Sequence, residues 1–266
     1  MITLFKNAKS KNQIIKEIRD KKLFILYNQP YTFFKPIYDS KIPLDIYQTW
    51  FTKDLPPKMK ERVEILKTQH PKFNHHLFDD NDCREFIKKH FKSDVLEAYD
   101  NLIPGAYKAD LWRLCVLFIN GGIYIDIKFG CINGFRLIEL TENEHFVKDR
   151  PPNSIYNALM SCRRGNQFLL QSIRQIVYNV KNRYYGVHPL SPTGPMMLGS
   201  VIINNKFLVN CDMEHYINGG YIIYKNVFVI STEYPEYNNE RNSEYKKINK
   251  NRYDKMWLDK NIYKSC

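Results

Sequence analysis

The sequence predicts an α/β chain whose first half is a doubly wound, Rossmann-like nucleotide-binding sheet. Three observations carry that prediction. The run from Ile103 to Lys128 reads as helix, stop, strand and charged tip. Strand-like and helix-like segments alternate from Ile42 to Asn101, the pattern of consecutive βα units. The 266 residues are 44% hydrophobic and 14% aromatic, with no internal repeat or low-complexity tract, which suffices for one sizeable core.

Residues 10–22 place Ile14, Ile15 and Ile18 on one face and charge on the other, a surface helix that Ser10 can cap and that packs on its own domain. LFILYNQPYTFFKPIY then reads as an extended aromatic connector broken by Pro30 and Pro36, closing an N-terminal segment, 1–40, ahead of a compact domain, 41–266. Ile42–Trp50 is the first buried strand. Pro56-Pro57 opens a helix to about Gln69 with Met59, Val63 and Leu66 facing inward. Lys72–Phe78 alternates as a strand, so His75 and His76 face opposite ways and cannot share a metal. Asp79-Asp80 starts the next helix, and 81–91 and 93–101 are two short helices.

Pro104 suits a first helical position, and Gly121-Gly122 ends that helix with a left-handed cap. Asp110 and Arg113, three apart, share one helical face. Ile123, Tyr124 and Ile125 form a short buried strand. Asp126 and Lys128, two apart, point to one side if the chain stays extended, and they lie at the carboxyl end of the strand, where open sheets bind ligands. Residues 129–135 turn away from the site. Strands follow at 144–149 and 154–162, then an amphipathic helix at 167–182. A proline-fixed loop spans His188–Pro195, in which Gly194 permits close backbone approach. A hairpin turns at Lys225-Asn226 within 221–230.

The net charge of +12, from 40 basic and 28 acidic residues, favours polyanionic ligands such as nucleoside diphosphates. The lysines are scattered, and no RNA-recognition motif, zinc-finger spacing or helix-turn-helix signature occurs, so no nucleic-acid partner is expected. The six cysteines form no C-x-x-C pair, Cys115 reads as a buried thiol, and no N-glycosylation sequon is present. The N-terminus lacks an uninterrupted apolar leader, and no run approaches the roughly 18 apolar residues of a membrane span, so a cytoplasmic location is expected. Asn-, Lys- and Ile-rich usage suits an AT-rich genome such as that of a large virus.

The segments AYKADLWR, LCVLFIN and GGIYIDIK resemble the DxD-type sugar transferases of glycosyltransferase family 32, whose pattern is A-x-A-D-x-x-R, an apolar run and G-G-x-Y-x-D-x-D. That family includes fungal α-1,6-mannosyltransferases, bacterial capsule enzymes and proteins of large DNA viruses, with a more distant likeness to the large clostridial glucosylating toxins. The resemblance implies a GT-A-like fold with a mixed central sheet and a retaining transfer from a nucleotide sugar, UDP-sugars being favoured over GDP-mannose, to a glycan or glycoprotein acceptor. By the same resemblance Gln48, Thr49, Trp50 and Tyr107 belong to the donor pocket. Asp110 and Arg113 hold sugar hydroxyls, Tyr124 supports the wall, and Asp126 reaches the ribose or sugar. Asn157 contacts the donor sugar or helps position the acceptor, Gly194 belongs to a T-G-P loop near the acceptor side, and Arg252 and Trp257 match the diphosphate-proximal tail. Without the resemblance, Trp50 reads as core filling.

Family members hold Mn²⁺ or Mg²⁺ through aspartates. Lys128 stands where the second aspartate is usual and would repel a cation beside Asp126, the one remaining candidate ligand. Its ammonium can instead meet the diphosphate directly, making metal weakly needed or dispensable. Asp126, Lys128, Asp110 and Arg113 are therefore the expected catalytic set. The competing expectation is a catalytically silent module of the same fold that binds a nucleotide sugar or glycan.

Overall fold

A computed structural model describes residues 11–216, 220–249 and 251–265. The expected Ser10 cap, the Ile14 side chain and Cys266 lie outside the described residues. Among those described, one mixed sheet of nine strands forms the centre. β1 (Asp45–Thr49), β2 (Asn74–Phe78) and β3 (Gly122–Ile125) run parallel in the order β2-β1-β3. This is the Rossmann-like half. α2 (Pro57–Gln69) links its first two strands, and α3 (Asp80–His90), α4 (Ser93–Asn101) and α5 (Gly105–Asn120) link the next.

The sheet continues through β6 (Ile155–Cys162), antiparallel to β3, and β5 (His145–Lys148), antiparallel to β6. β7 (Met213–Tyr216) then runs parallel to β5, followed by β8 (Tyr221–Tyr224), β9 (Val227–Ser231) and the two-residue β4 (Gly130–Cys131). These pairings give β1, β2, β3, β5, β7 and β9 one direction. Their carboxyl ends therefore share one edge, and the site lies along it.

Local chemistry explains the elements. α3 starts in a capping box, with the Asp79 side chain accepting from the Asp82 N–H and the Asp82 side chain accepting from the Asp79 N–H. α5 begins one residue later than expected, with Pro104 extended at the cap, and stops at Gly121, φ +70°. Gly122 has φ +104°, and a Cβ there would stand 2.7 Å from the Asp45 carbonyl oxygen. Only glycine lets β3 enter the sheet against β1. Lys225 and Asn226, both at positive φ, make the β8–β9 turn as expected.

The core is thickest behind the site. Leu111, Trp112 and the stretch Leu114–Leu117 of α5 are fully buried between the sheet and α6 (Gln167–Lys181), on which α7 (Pro195–Asn205) packs. Phe129, Leu140, Val147, Ile222 and Val229 form a second cluster. There the connector is pinned to the domain, since buried Tyr31 donates to Glu139 at 2.9 Å.

The N-terminal segment departs from expectation. α1 runs Lys11–Tyr27, so Leu23–Tyr27 is helix rather than extended connector, because Pro30 is the first residue able to forbid it. Ile15 and Ile18 are 54% and 51% exposed, so the expected packing face stays in solvent. Its far end packs on the sheet, where the Phe24 and Tyr27 rings contact Phe228. α7, α9 (Tyr253–Leu258), α8 (Tyr237–Lys247), β4 and β7 had no counterpart among the expected elements.

Candidate functional site

The site grows from one charged knot. Arg113, buried on α5, places Nη2 3.4 Å from Asp110 Oδ1 and 3.7 Å from Asp126 Oδ1, and donates through Nη1 to the Asn157 carbonyl oxygen at 2.9 Å. Its guanidinium lies over the Tyr124 ring, 4.4 Å from the centroid. Burial opposes that charge, but Tyr124, Asp110 and Asp126 outweigh it and hold the guanidinium protonated. Asp110 accepts from Thr193 Oγ1 at 2.7 Å and Asn157 Nδ2 at 2.9 Å. Its burial nonetheless raises the carboxyl's affinity for a proton, against the pull of Arg113, Thr193 and Asn157. Buried Tyr124 donates to Asp126 Oδ1 at 2.9 Å.

The knot stands where two cavities meet. A smaller one, about 140 Å³, runs from Thr49, Trp50 and Phe51 at the end of β1 to Asp126. A larger one, about 910 Å³, runs from Asp126 along the sheet edge to Tyr156, Asp149 and His215. Arg113, Asp126, Lys128, Tyr237, Tyr245 and Tyr253 line both. Tyr107, Asp110, Asn157 and Arg252 also line the larger one.

Three expected pocket residues do not line either cavity. Gln48 is fully buried, its Oε1 2.7 Å from His75 Nε2 and its Nε2 donating to the Asp126 carbonyl at 3.4 Å, so it braces the tip from behind. Gly194 caps α7 behind Asp110. Trp257 donates to the Tyr185 carbonyl at 2.7 Å, held by the tail packing of α9. Arg252 is on the rim, half-exposed and paired with Asp254 at 3.2 Å. Trp50 is both wall and filling, since its ring stacks on Tyr245 at 6.3 Å and 19° and its buried indole N–H has no partner among the described residues.

The charged tip also differs from expectation. The chain turns after β3, with the Phe129 N–H donating to the Asp126 carbonyl at 2.9 Å, so Asp126 and Lys128 are not neighbours on an extended strand. Lys128 lies over the Tyr237 ring, 5.0 Å from its centroid, and pairs with Glu233 at 3.4 Å. Sequence reasoning missed Glu233, Tyr237, Asp149, Tyr156 and His215, none of which stands in a recognisable motif.

Residues 56–147 match the family described as the glycosyltransferase sugar-binding region containing the DXD motif. Over that segment the chain is similar to DXD-motif glycosyltransferases. Its match ends within β5, so the buried knot lies inside it, apart from Asn157 and Thr193. The chain is similar to inositol phosphoceramide mannosyltransferase 3 of Schizosaccharomyces pombe, 30% identical over 66% of this chain and 49% of that protein. It is also 33% identical to an uncharacterized glycosyltransferase of Acanthamoeba polyphaga mimivirus, over 34% of this chain and 37% of that one. The solved PaToxG glycosyltransferase is 16% identical with a TM-score of 0.48, covering 73% of this chain and 78% of that one. The chain spans about half or less of the length of the curated relatives it matches.

Members of a DXD family ordinarily hold a divalent cation. Here Asp126 is the one carboxylate at the tip, Arg113 sits on its Oδ1, and no group of three His, Cys, Asp or Glu side chains converges among the described residues. Asp126 by itself is a poor cation holder, and a divalent ion there would depend on the diphosphate for most of its oxygens. No helix among the described residues is long and apolar enough to cross a membrane.

Proposed function

We propose that this chain moves a hexosyl group from a nucleotide sugar onto a hydroxyl of a polyhydroxylated acceptor. The observation that carries the reading is the buried Arg113 between Asp110 and Asp126 at the junction of the two cavities. In it the nucleotide occupies the smaller cavity beside Trp50, and the diphosphate lies at the junction. The larger cavity takes the sugar and the acceptor.

Breaking the glycosidic bond leaves growing negative charge on the diphosphate, and fixed positive charge there lowers the barrier. Lys128 is the mobile cation for that role, released from Glu233 toward the phosphates, with Arg252 on the rim. Arg113 and Asp110 hold sugar hydroxyls. The acceptor hydroxyl bonds to the anomeric carbon, the departing phosphate keeps the bond's electron pair and takes the hydroxyl proton, and configuration is retained. Retention rests on the family resemblance.

The sequence favoured UDP-sugars, but the relatives named as mannosyltransferases support GDP-mannose as donor and a mannosyl group as cargo. Their names also support an inositol-bearing acceptor beside the expected glycan.

The test is nucleotide release from a panel of nucleotide sugars, each with EDTA and with Mn²⁺, with and without acceptor sugars. Release from GDP-mannose that survives EDTA and collapses in Lys128→Ala supports the reading. Strict dependence on Mn²⁺ would remove the lysine role. Binding of a nucleotide sugar without release under any condition would favour the silent binding module.

A further inference from the structure

The large cavity ends in a feature that the charged knot does not use. β5 and β7 are parallel neighbours in register Val147↔Met213 and Lys148↔Glu214, so the next residues, Asp149 and His215, stand side by side at the carboxyl edge. Asp149 Oδ1 accepts from His215 Nδ1 at 3.0 Å and from the Arg150 N–H at 2.8 Å. The two side chains are 6% and 9% exposed. The imidazole is clamped flat against the Tyr156 ring, 4.0 Å away at 14°. An ionised carboxylate only accepts hydrogen bonds, so when the His215 ring is neutral its proton sits on Nδ1 and Nε2 keeps a lone pair. Among the described residues Nε2 has no partner, and His215 lines the cavity.

Placement identifies the ligand class. Along the sheet the order from the donor side is β1, β3, β6, β5, β7. His215 is thus three strand spacings beyond Asp126, roughly 14 Å along the edge. That leaves room for a transferred hexose and then a second ring. An oriented lone pair on a ring clamped against an aromatic face matches the hydroxyl of a sugar or polyol ring, whereas a fully ionised phosphate has no proton to donate.

We propose that Asp149, His215 and Tyr156 form an acceptor subsite in which His215 Nε2 accepts a hydrogen bond from a ring hydroxyl of a polyol or sugar. The proposal rests on the donor and acceptor assignment of the two cavities given above. His215 touches the acceptor, and Asp149 is a positioning residue that acts by fixing the tautomer. An asparagine at 149 can donate as well as accept, so it releases that constraint while keeping the shape.

The test uses the full chain with GDP present and myo-inositol or methyl α-mannoside as the probe. The His215 ring resonances, assigned by their loss in His215→Gln, are expected to report an Nδ1–H tautomer and to shift saturably with at least one probe. Asp149→Asn is expected to weaken that binding at least tenfold while its melting temperature stays near wild type. In transfer assays it should raise KM for the acceptor far more than KM for the donor. An Nε2–H tautomer overturns the proposal, as does saturable binding that leaves His215 unmoved. Absence of binding by both probes overturns it too, as does wild-type affinity in Asp149→Asn. If no nucleotide sugar binds while the polyol still shifts His215, the donor reading fails and the subsite stands.

Discussion

Lys128 Nζ lies 3.4 Å from Glu233 Oε1, so the ammonium at the charged tip already has an anionic partner on the opposite rim. The two residues are 105 apart in sequence and meet because the turn after β3 faces the end of β9. In the proposed reading, a nucleoside diphosphate entering the junction would compete with a carboxylate for that cation.

Glu233→Gln removes the competitor, and affinity for GDP or UDP should rise by about three- to tenfold in isothermal titration, while Lys128→Ala should lower it at least tenfold. Neither should move stability by more than about 1 kcal/mol, because a half-exposed ion pair is worth little. Equal affinity in all three proteins would remove Lys128 from the phosphate site.

Trp50 reports on the smaller cavity. Its indole N–H has no partner among the described residues, so Trp50→Phe forfeits little stability while shrinking the stacking surface. Nucleotide should quench wild-type fluorescence, and both the quench and about tenfold of affinity should be lost in the variant. A full quench retained in Trp50→Phe would place the base elsewhere.

Gly199 packs α7 against the 149–154 turn. A Cβ there would stand 1.6 Å from the Asn153 carbonyl oxygen, a backbone atom in the turn that follows Asp149. Gly199→Ala should cost about 1–3 kcal/mol in chemical denaturation, the range for forcing atoms into a packed site. It should also disturb the His215 resonances. Wild-type stability would mean that α7 and the 149–154 turn separate readily.

His70 sets an acid limit. Burial, with a smaller push from Arg136, lowers its pKa from 6.5 to about 4, and Nε2 lies 3.3 Å from Cys131 Sγ. The unfolded chain takes up that proton near pH 6.5 and the folded chain resists until about 4. This contribution is therefore complete above pH 6.5 and is lost as pH falls through that window. One pKa unit corresponds to about 1.36 kcal/mol, so the loss for this imidazole approaches about 3 kcal/mol. His70→Gln should flatten the fall in melting temperature between pH 6.5 and 4; an unchanged slope would assign it to other groups. His75, lowered to about 4 by burial and by Lys67, adds to the wild-type slope in the same direction.

Much of the parallel half was legible because its signals are local. Met59, Val63 and Leu66 recur at helical spacing and are 0%, 2% and 1% exposed. The i,i+3 spacing of Asp110 and Arg113 sufficed to bring them onto one face, and they pair at 3.4 Å. The glycine pair before β3 and the Lys225-Asn226 turn follow from backbone sterics alone. The apolar stripe of α1 was equally legible, yet Ile15 and Ile18 are exposed, because amphipathicity states which face is able to pack and not whether a partner is there.

The α/β class, the glycine-fenced strand, the shared helical face of Asp110 and Arg113 and the charged tip were thus legible, all set by residues within a few positions of one another. Tertiary structure alone decided that Gln48 braces the tip rather than lining the pocket and that Gly194 and Trp257 stand away from it. It also decided that Lys128 meets Glu233 and that Asp149 meets His215 across 66 residues. The physical reason is strand order. β7 lies beside β5 and β9 reaches the tip through pairings closed over long loops, and such contacts are selected by the packing of the whole sheet, which no short window of sequence encodes.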